Sequence, residues 1–125
     1  MKGKSGGVLN GFLDKGARIE GTLVFDDMFR IDGLFKGAVS SDHELVVGEG
    51  GTVEGEIRVG RLSASGIVRG TVHASEKIEI HAGAHIYAEL HSPVLVVEEG
   101  AVIQGPVETG PHIEGKQAEA DRKKN

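Results

Sequence analysis

An eight-residue pattern recurs six times along this chain of 125 residues. Its first copy reads Gly-Ala-Arg-Ile-Glu-Gly-Thr-Leu, from Gly16 to Leu23, and successive copies start 15 to 18 residues apart. In the aligned copies, two positions contain only apolar residues, and the position midway between them contains only Gly or Ala. These columns are Ile19, Phe35, Val53, Val68, Ile86 and Ile103; Leu23, Val39, Ile57, Val72, Leu90 and Val107; and Gly21, Gly37, Gly55, Gly70, Ala88 and Gly105. Such a period indicates a repeat architecture.

The repeat predicts an all-β fold. Apolar residues alternate with polar ones, and many are β-branched, which favours strands over helices. Because equivalent positions recur once per turn, the strands must lie parallel and stack about 4.8 Å apart along an axis. We therefore predict a single-stranded parallel β-helix (β-solenoid) of about six triangular rungs, in which each rung has a small residue at a crowded backbone position.

Two more columns are predicted by counting back from each octad. The residue three positions before it is apolar and is expected to point inward: Leu13, Phe29, Val47, Leu62, Ile80 and Val97. The residue one position earlier is expected to point outward: Phe12, Met28, Val46, Arg61, Glu79 and Val96. Phe12, Met28 and Val46 would then form an exposed apolar strip.

A second outward column lies between the two apolar columns of the octad. It reads Glu20, Lys36, Glu54, Arg69, Tyr87 and Gln104. Neighbouring charges alternate in sign over its first four members, and opposite charges on adjacent strands attract each other. We interpret this column as a contribution to strand register and solubility.

Three segments are predicted. Residues 1–11 form a flexible N-terminal segment, residues 12–108 form the β-helix domain, and residues 109–125 form a flexible polar tail. The tail ends in a short basic cluster, Arg122, Lys123 and Lys124. Polar segments of this kind contain too few apolar residues to build a core.

The composition argues against several classes of protein. The chain has no Cys, so neither a disulfide framework nor a thiolate metal site is expected. No apolar h-region follows Met1 and no apolar run approaches the roughly 20 residues of a membrane span, so we expect a cytoplasmic protein. A net charge of −5 without a basic stripe argues against nucleic-acid binding.

Other folds and functions fit the repeat less well. A Greek-key sandwich also has closely spaced strands, but it does not require glycine at one offset in each repeat. An extracellular adhesin or ice-binding rod would need a secretion signal or regular outward columns of Thr, and the sequence predicts neither.

The main alternative is a catalytic one, a hexapeptide-repeat acyltransferase, which also stacks short strands into a prism. Such an enzyme needs a base, commonly His, beside a loop that encloses substrate. Repeats of 15 to 18 residues leave no length for that loop. His73 and His91 occupy equivalent outward positions but have Arg58 next in their column, which makes a poor metal site. No catalytic residue, metal ligand or cofactor is predicted.

The two ends of a β-solenoid are the surfaces most able to pair with another strand. The first and last rungs carry unpaired backbone N–H and C=O groups, which form a template for another strand. Neither flank of the repeat has an amphipathic helical pattern that could cover them. We therefore expect the chain to assemble with copies of itself through its end rungs. The candidate interface residues are Leu13, Phe25, Phe29, Val97, Ile103 and Val107.

The rung sequence resembles the bactofilins, a family of bacterial polymer-forming cytoskeletal proteins. The resemblance extends from Leu13 to Val107 and is carried by the repeated Ile/Val-x-Gly-x-Ile/Leu/Val element, by Phe29-Arg-Ile-Asp-Gly-Leu-Phe-Lys-Gly and by Val96-Val-Glu-Glu-Gly-Ala-Val-Ile-Gln-Gly. It implies a right-handed triangular β-helix that forms non-polar filaments by like-end contacts, without nucleotide. It also implies a scaffold role in cell shape, polarity or partner positioning, with other bactofilins and client proteins as partners.

Many members of the family that this sequence resembles carry a membrane-targeting segment of apolar and basic residues at the N-terminus. The resemblance therefore implies a patch for a membrane or a partner, and a location at the inner face of the cytoplasmic membrane. Its residues here are Lys2, Lys4, Val8, Leu9, Phe12 and Met28.

Overall fold

The computed structural model of the chain describes residues 11–109. The predictions for Lys2, Lys4, Val8, Leu9 and the polar tail from residue 110 onward lie outside the described residues. Residues 11–109 contain no helix long and apolar enough to cross a membrane. The strands are β1 (Gly11–Leu13), β2 (Arg18–Val24), β3 (Met28–Ile31), β4 (Leu34–Ser40), β5 (Glu44–Val47), β6 (Thr52–Ala64), β7 (Ile67–Ile80), β8 (His85–Ser92), β9 (Leu95–Val97), β10 (Val102–Gln104) and β11 (Val107–Thr109).

The strands form one parallel sheet that coils on itself. Each turn stacks on the next: β2 pairs with β4, β4 with β6, β6 with β7, and β7 with β8, all in parallel. This arrangement confirms the predicted all-β solenoid of about six turns. The right-handed sense of the coil stays a prediction.

The three octad columns are confirmed residue by residue. Ile19 pairs with Phe35 and Leu23 with Val39, and the same columns continue to Ile103 and Val107 in the last turn. The charged outward column is also confirmed, because Glu20 pairs with Lys36 and the register continues through Tyr87.

The column predicted three residues before each octad is wrong in two rungs. Leu13 stacks on Ile31, then on Val47 and Ala64, so neither Phe29 nor Leu62 belongs to that column. Those two residues stack instead with the other inward column of the same face. That column is Phe29, Leu45, Leu62, Ile78 and Leu95.

The physical reason is that the corners before the octads differ in length. Four of them, 14–17, 48–51, 81–84 and 98–101, contain four residues, but 32–33 and 65–66 contain only two. A constant offset therefore selects the wrong residue in the two short rungs. Both short corners contain a glycine, Gly33 and Gly66, where a Cβ atom would overlap carbonyl oxygens of the preceding corner.

The core is narrow and aliphatic. The two octad columns and the two columns of the third face fill it, and Phe35 is the largest fully buried side chain. Strand β7 has 14 residues, which would extend about 46 Å if straight. It must therefore bend within each turn. The glycines of the octad column have φ between +119° and +141°, a backbone conformation that other residues rarely adopt, and we place the bend there.

Candidate assembly surfaces

The first rung leaves inward positions uncovered. Ile19 is 44% exposed, although Val53 and Ile86 in the same column are fully buried. Val24 and Phe12 lie in outward columns and are 69% and 51% exposed. Ile19 is uncovered because a neighbouring strand is missing, since among the described residues β2 pairs only with β4. This end of the solenoid therefore presents apolar side chains together with a free strand edge.

The last rung is built differently. Gly105-Pro106 separates β10 from β11, so two short strands replace the continuous strand of the inner turns. Val107 is buried, and Ile103 and Val97 are half-buried. The C-terminal end therefore presents less apolar surface than the N-terminal end.

The candidate interface residues at the N-terminal end lie mainly inside the rung. Leu13 and Phe25 are buried, and Phe29 is half-buried. The Phe25 and Phe29 rings pack with their centroids 5.4 Å apart. Phe25 and Phe29 could contribute to a junction only through the edges of their rings. The most exposed apolar side chains at the N-terminal end are Ile19, Val24 and Phe12. Ile19 and Val24 were missed, although Ile19 lies in the first octad and Val24 directly follows it, which was a usable signal.

The predicted apolar strip is wrong in its register. Phe12 stacks beside Arg30, and Arg30 stacks beside Val46. Met28 pairs with Glu44 and belongs to a different column. Phe12 and Met28 therefore do not form one continuous strip, because the short corner at 32–33 shifts this face by two positions.

The corner beside Arg30 contains a closely bonded ion pair. The Arg30 guanidinium donates from Nε to Oδ2 of Asp32 at 2.8 Å and from Nη2 to Oδ1 at 3.1 Å. This side-chain hydrogen bonding raises the pKa of Arg30 above its ordinary value. The pair lines an open notch of about 540 Å³ between the long corners 14–17 and 48–51.

A hydrogen-bonded chain connects three successive rungs on the same face. His81 Nδ1 lies 3.0 Å from Oε2 of Glu98, and its Nε2 lies 2.9 Å from the Ser63 hydroxyl. Because a carboxylate only accepts, Nδ1 carries a proton, and Nε2 either accepts from the Ser63 hydroxyl or, in a doubly protonated ring, donates to it. His81 and Glu98 occupy the same corner position of consecutive octads, so the sequence contained a signal for this contact.

The connectivity of Ser63, His81 and Glu98 is that of a serine hydrolase triad. Acyl transfer also needs free N–H groups to stabilise an oxyanion. Here the N–H of Ser65 donates to Val47 and the N–H of His81 donates to Ala64, so both are already used. The chain of contacts therefore joins neighbouring rungs, and these two N–H groups are not free to act as oxyanion donors.

His73 and His91 meet as the aligned octads predict. Their rings stack with centroids 4.5 Å apart and an interplanar angle of 8°. His91 Nε2 lies 2.7 Å from Glu89 and Nδ1 lies 3.0 Å from Glu108, so a doubly protonated ring can donate to both carboxylates. Within residues 11–109, no three His, Cys, Asp or Glu residues are placed to hold a metal ion.

The catalytic alternative lacks its required loop. Between the described strands, no connection exceeds four residues. Such corners are too short to fold over a substrate beside His73 or His91.

Comparisons with known proteins agree with this architecture. The family described as "Bactofilin: Polymer-forming cytoskeletal" matches residues 11–108. Bactofilin BacO of Myxococcus xanthus is 29% identical over 90 residues, covering 72% of this chain and 71% of BacO. Bactofilin BacP of the same organism is 26% identical over 92 residues, covering 74% of this chain but only 38% of BacP.

A solved structure shares the fold. The bactofilin of Thermus thermophilus, seen by cryo-EM in double helical filaments, matches with a TM-score of 0.70 and 30% identity, covering 79% of this chain and 98% of that one. The family match extends over nearly all of the described residues. This chain therefore belongs to the bactofilins, a family of polymer-forming cytoskeletal proteins.

Proposed function

We propose that this chain assembles end to end into non-polar filaments, without nucleotide, through the strand edges of its first and last rungs. The observation that carries the proposal is the exposed first rung, where Ile19 is 44% exposed in a column that is fully buried at Val53. Covering that surface with a second copy would extend the hydrophobic core across the junction.

The assembly needs no cofactor in this mechanism. Backbone hydrogen bonds between rung edges contribute about 0.5 to 1.5 kcal/mol each, and apolar burial adds to them. Several moderate contributions of this kind act together at each end. We place Leu13, Phe25 and Phe29 at the N-terminal junction and Val97, Ile103 and Val107 at the C-terminal junction.

Negative-stain electron microscopy of the purified, nucleotide-free protein tests the proposal. We expect long filaments whose abundance does not change when nucleotide is added. Uniform small particles over a wide range of protein concentration would contradict it. A variant with Ile19→Asp and Val24→Asp, which places charges on the exposed first rung, should form at most short oligomers while keeping its circular dichroism spectrum.

The cellular role that we propose is that of a scaffold. A filament presents the same outward columns many times, so weak partner contacts become strong through multivalency. Such a scaffold would support cell shape, polarity or the positioning of client proteins, and it would accept other bactofilins as subunits. Imaging of a fluorescent fusion in cells should show discrete structures that are lost in the Ile19→Asp and Val24→Asp variant.

Peripheral membrane contact is a further part of the proposal. Phe12 is exposed and Met28 is half-buried, and in the sequence they follow the basic residues Lys2 and Lys4 and the apolar residues Val8 and Leu9. Basic residues attract anionic lipids, and apolar ones enter the interface. Sedimentation with anionic vesicles should be reduced by Lys2→Glu and Lys4→Glu, whereas filament formation should not change.

A further inference from the structure

The open edge of β2 has a defined set of backbone groups. In the parallel ladder, Arg18 is opposite Leu34, and the N–H of Leu34 donates to the carbonyl of Ala17. Residues of a strand direct their N–H and C=O groups alternately to the two sides. Since Ala17 faces the second rung, Arg18, Glu20, Thr22 and Val24 direct theirs to the open edge.

The inward positions of the first turn are arranged symmetrically about Gly21. Two residues on either side are Ile19 and Leu23, and four residues on either side are Ala17 and Phe25. Ala17, Leu23 and Phe25 pack in or against the core, and Ile19 lies in an inward column beside Phe35. If a second copy of this strand runs in the opposite direction and is centred on Gly21, its inward residues therefore lie beside the inward residues of the first copy.

The same symmetry extends around the whole turn. Phe12 lies nine residues before Gly21 and Arg30 lies nine residues after it. Phe12 stacks beside Arg30, so the two mark one position on successive turns. Gly21 is thus half a turn from Phe12, and an axis through both positions divides the first turn into equivalent halves.

The space beside Gly21 has the shape that a close approach requires. At Gly37, Gly55 and Gly70, a Cβ atom would overlap the carbonyl oxygen of the preceding glycine in the column. At Gly21 the corresponding direction points to the open edge, and no atom of the other described residues lies within 4 Å. A strand of another copy can therefore approach here as closely as the rungs approach each other.

We propose that the N-terminal junction is a two-fold antiparallel pairing of β2 with β2 of a second copy, centred on Gly21. This inference rests on the proposed end-to-end assembly and specifies its register. Glu20 then lies opposite Thr22 of the second copy, and Arg18 lies opposite Val24. Ile19 of each copy stacks on Leu23 of the other. About eight backbone hydrogen bonds form, because all four edge-facing residues of each strand pair.

The side chains agree with this register. No residue carrying a charge lies directly opposite a like charge, and the Thr22 hydroxyl can donate to the carboxylate of Glu20. The exposed apolar residues Ile19 and Val24 both become covered. A head-to-tail junction is the competing arrangement, in which Gln104 of one copy would lie beside Glu20 of the next, continuing the column above Tyr87.

Cysteine cross-linking distinguishes the two arrangements, since the chain has no native Cys. Filaments are co-assembled from equal amounts of the Glu20→Cys and Thr22→Cys chains, checked by electron microscopy and oxidised. Residues directly opposite in an antiparallel pair have Cα atoms about 4.5 to 5.5 Å apart, within disulfide range. We expect a covalent dimer whose disulfide joins positions 20 and 22.

The matched control is a mixture of the Glu20→Cys and Gln104→Cys chains. A disulfide that joins position 20 to position 104 in this mixture would overturn the inference and the non-polar symmetry of the filament, while leaving end-to-end assembly intact. Filaments that yield no disulfide in either mixture would overturn the register as well. If the unmodified protein forms no filaments, that result would instead contradict the proposed function itself.

A second variant tests the close approach at Gly21 without cross-linking. Gly21→Ala should raise the protein concentration needed for assembly at least tenfold, because the new methyl groups of two copies would meet. Gly16→Ala is the matched control, since Gly16 also has a positive φ, of +88°, and within residues 11–109 no atom lies within 4 Å of where its Cβ would be. We expect less than a twofold change for this control. Equal effects of the two substitutions would overturn the inference.

Discussion

The first rung and the middle rungs share one sequence pattern but differ in burial. Ile19 and Ile86 are the same residue in the same column, yet Ile19 is 44% exposed and Ile86 is fully buried. The difference comes from neighbours alone, since Ile86 has a rung on each side and Ile19 has one. In a solenoid, a repeat therefore specifies the direction of a side chain, whereas its position in the stack specifies how much stability it contributes.

The largest predicted contrast concerns the glycine column. Gly55→Ala should destabilise the unassembled protein by about 4 kcal/mol, because a strained φ and overlap with the Gly37 carbonyl act together. Gly21→Ala should cost about 2 kcal/mol, since its φ of +140° is strained but its surroundings are open. Urea unfolding followed by circular dichroism, below the assembly concentration, measures both. Equal values would show that the neighbouring rung contributes nothing to the difference.

The next contrast concerns the matched isoleucines. Ile86→Ala should cost about 3 kcal/mol, as expected for a fully buried aliphatic side chain, and Ile19→Ala about 1 kcal/mol. The order should reverse in an assembly assay, where Ile19→Ala weakens filament formation more than Ile86→Ala does. Sedimentation of assembled protein measures this second quantity. A larger effect of Ile86→Ala than of Ile19→Ala on assembly would contradict the proposed difference between the first rung and the middle rungs.

The smallest contrast lies in the charged outward column. Arg69 lies 4.0 Å from Glu54 and places its guanidinium 5.1 Å from the centre of the Tyr87 ring. Arg69→Ala should therefore cost about 0.5 to 1 kcal/mol, and high salt should reduce that cost. Gln104→Ala in the last rung should change stability by less than about 0.5 kcal/mol. Thermal unfolding at low and high salt provides the test.

The fold was predictable from the sequence because its main signal repeats. Columns such as that of Ile19 and Phe35 are correct in each rung, since the octad has constant length. The third face was misaligned because its link to the octad varies, with two residues at 32–33 and four at 48–51. Corner length depends on backbone geometry, which the apolar pattern does not report. The only sequence signal for a short corner is a glycine such as Gly33.

The open strand edge of the first rung was predictable from the sequence, but the side chains exposed beside it were not. Open edges at both ends follow from any solenoid without covering segments. Which side chains are exposed there depends on the final stacking, and so Phe25 proved buried whereas Val24 is exposed. The repeat predicts that His81 and Glu98 are neighbours, but their hydrogen bond also depends on side-chain rotamers, which the repeat does not encode.

The short corners also make the subunit surface non-uniform along its axis. In a solenoid with identical rungs, a ligand would find the same binding surface on each rung. Such surfaces would repeat about every 4.8 Å along the axis, which is the spacing of adjacent strands. Here the notch beside Arg30 and Asp32 interrupts that repetition near the N-terminal end. A molecule that recognises this notch is therefore held at one height on each subunit, and in a filament its copies would be spaced by whole subunits and not by single rungs.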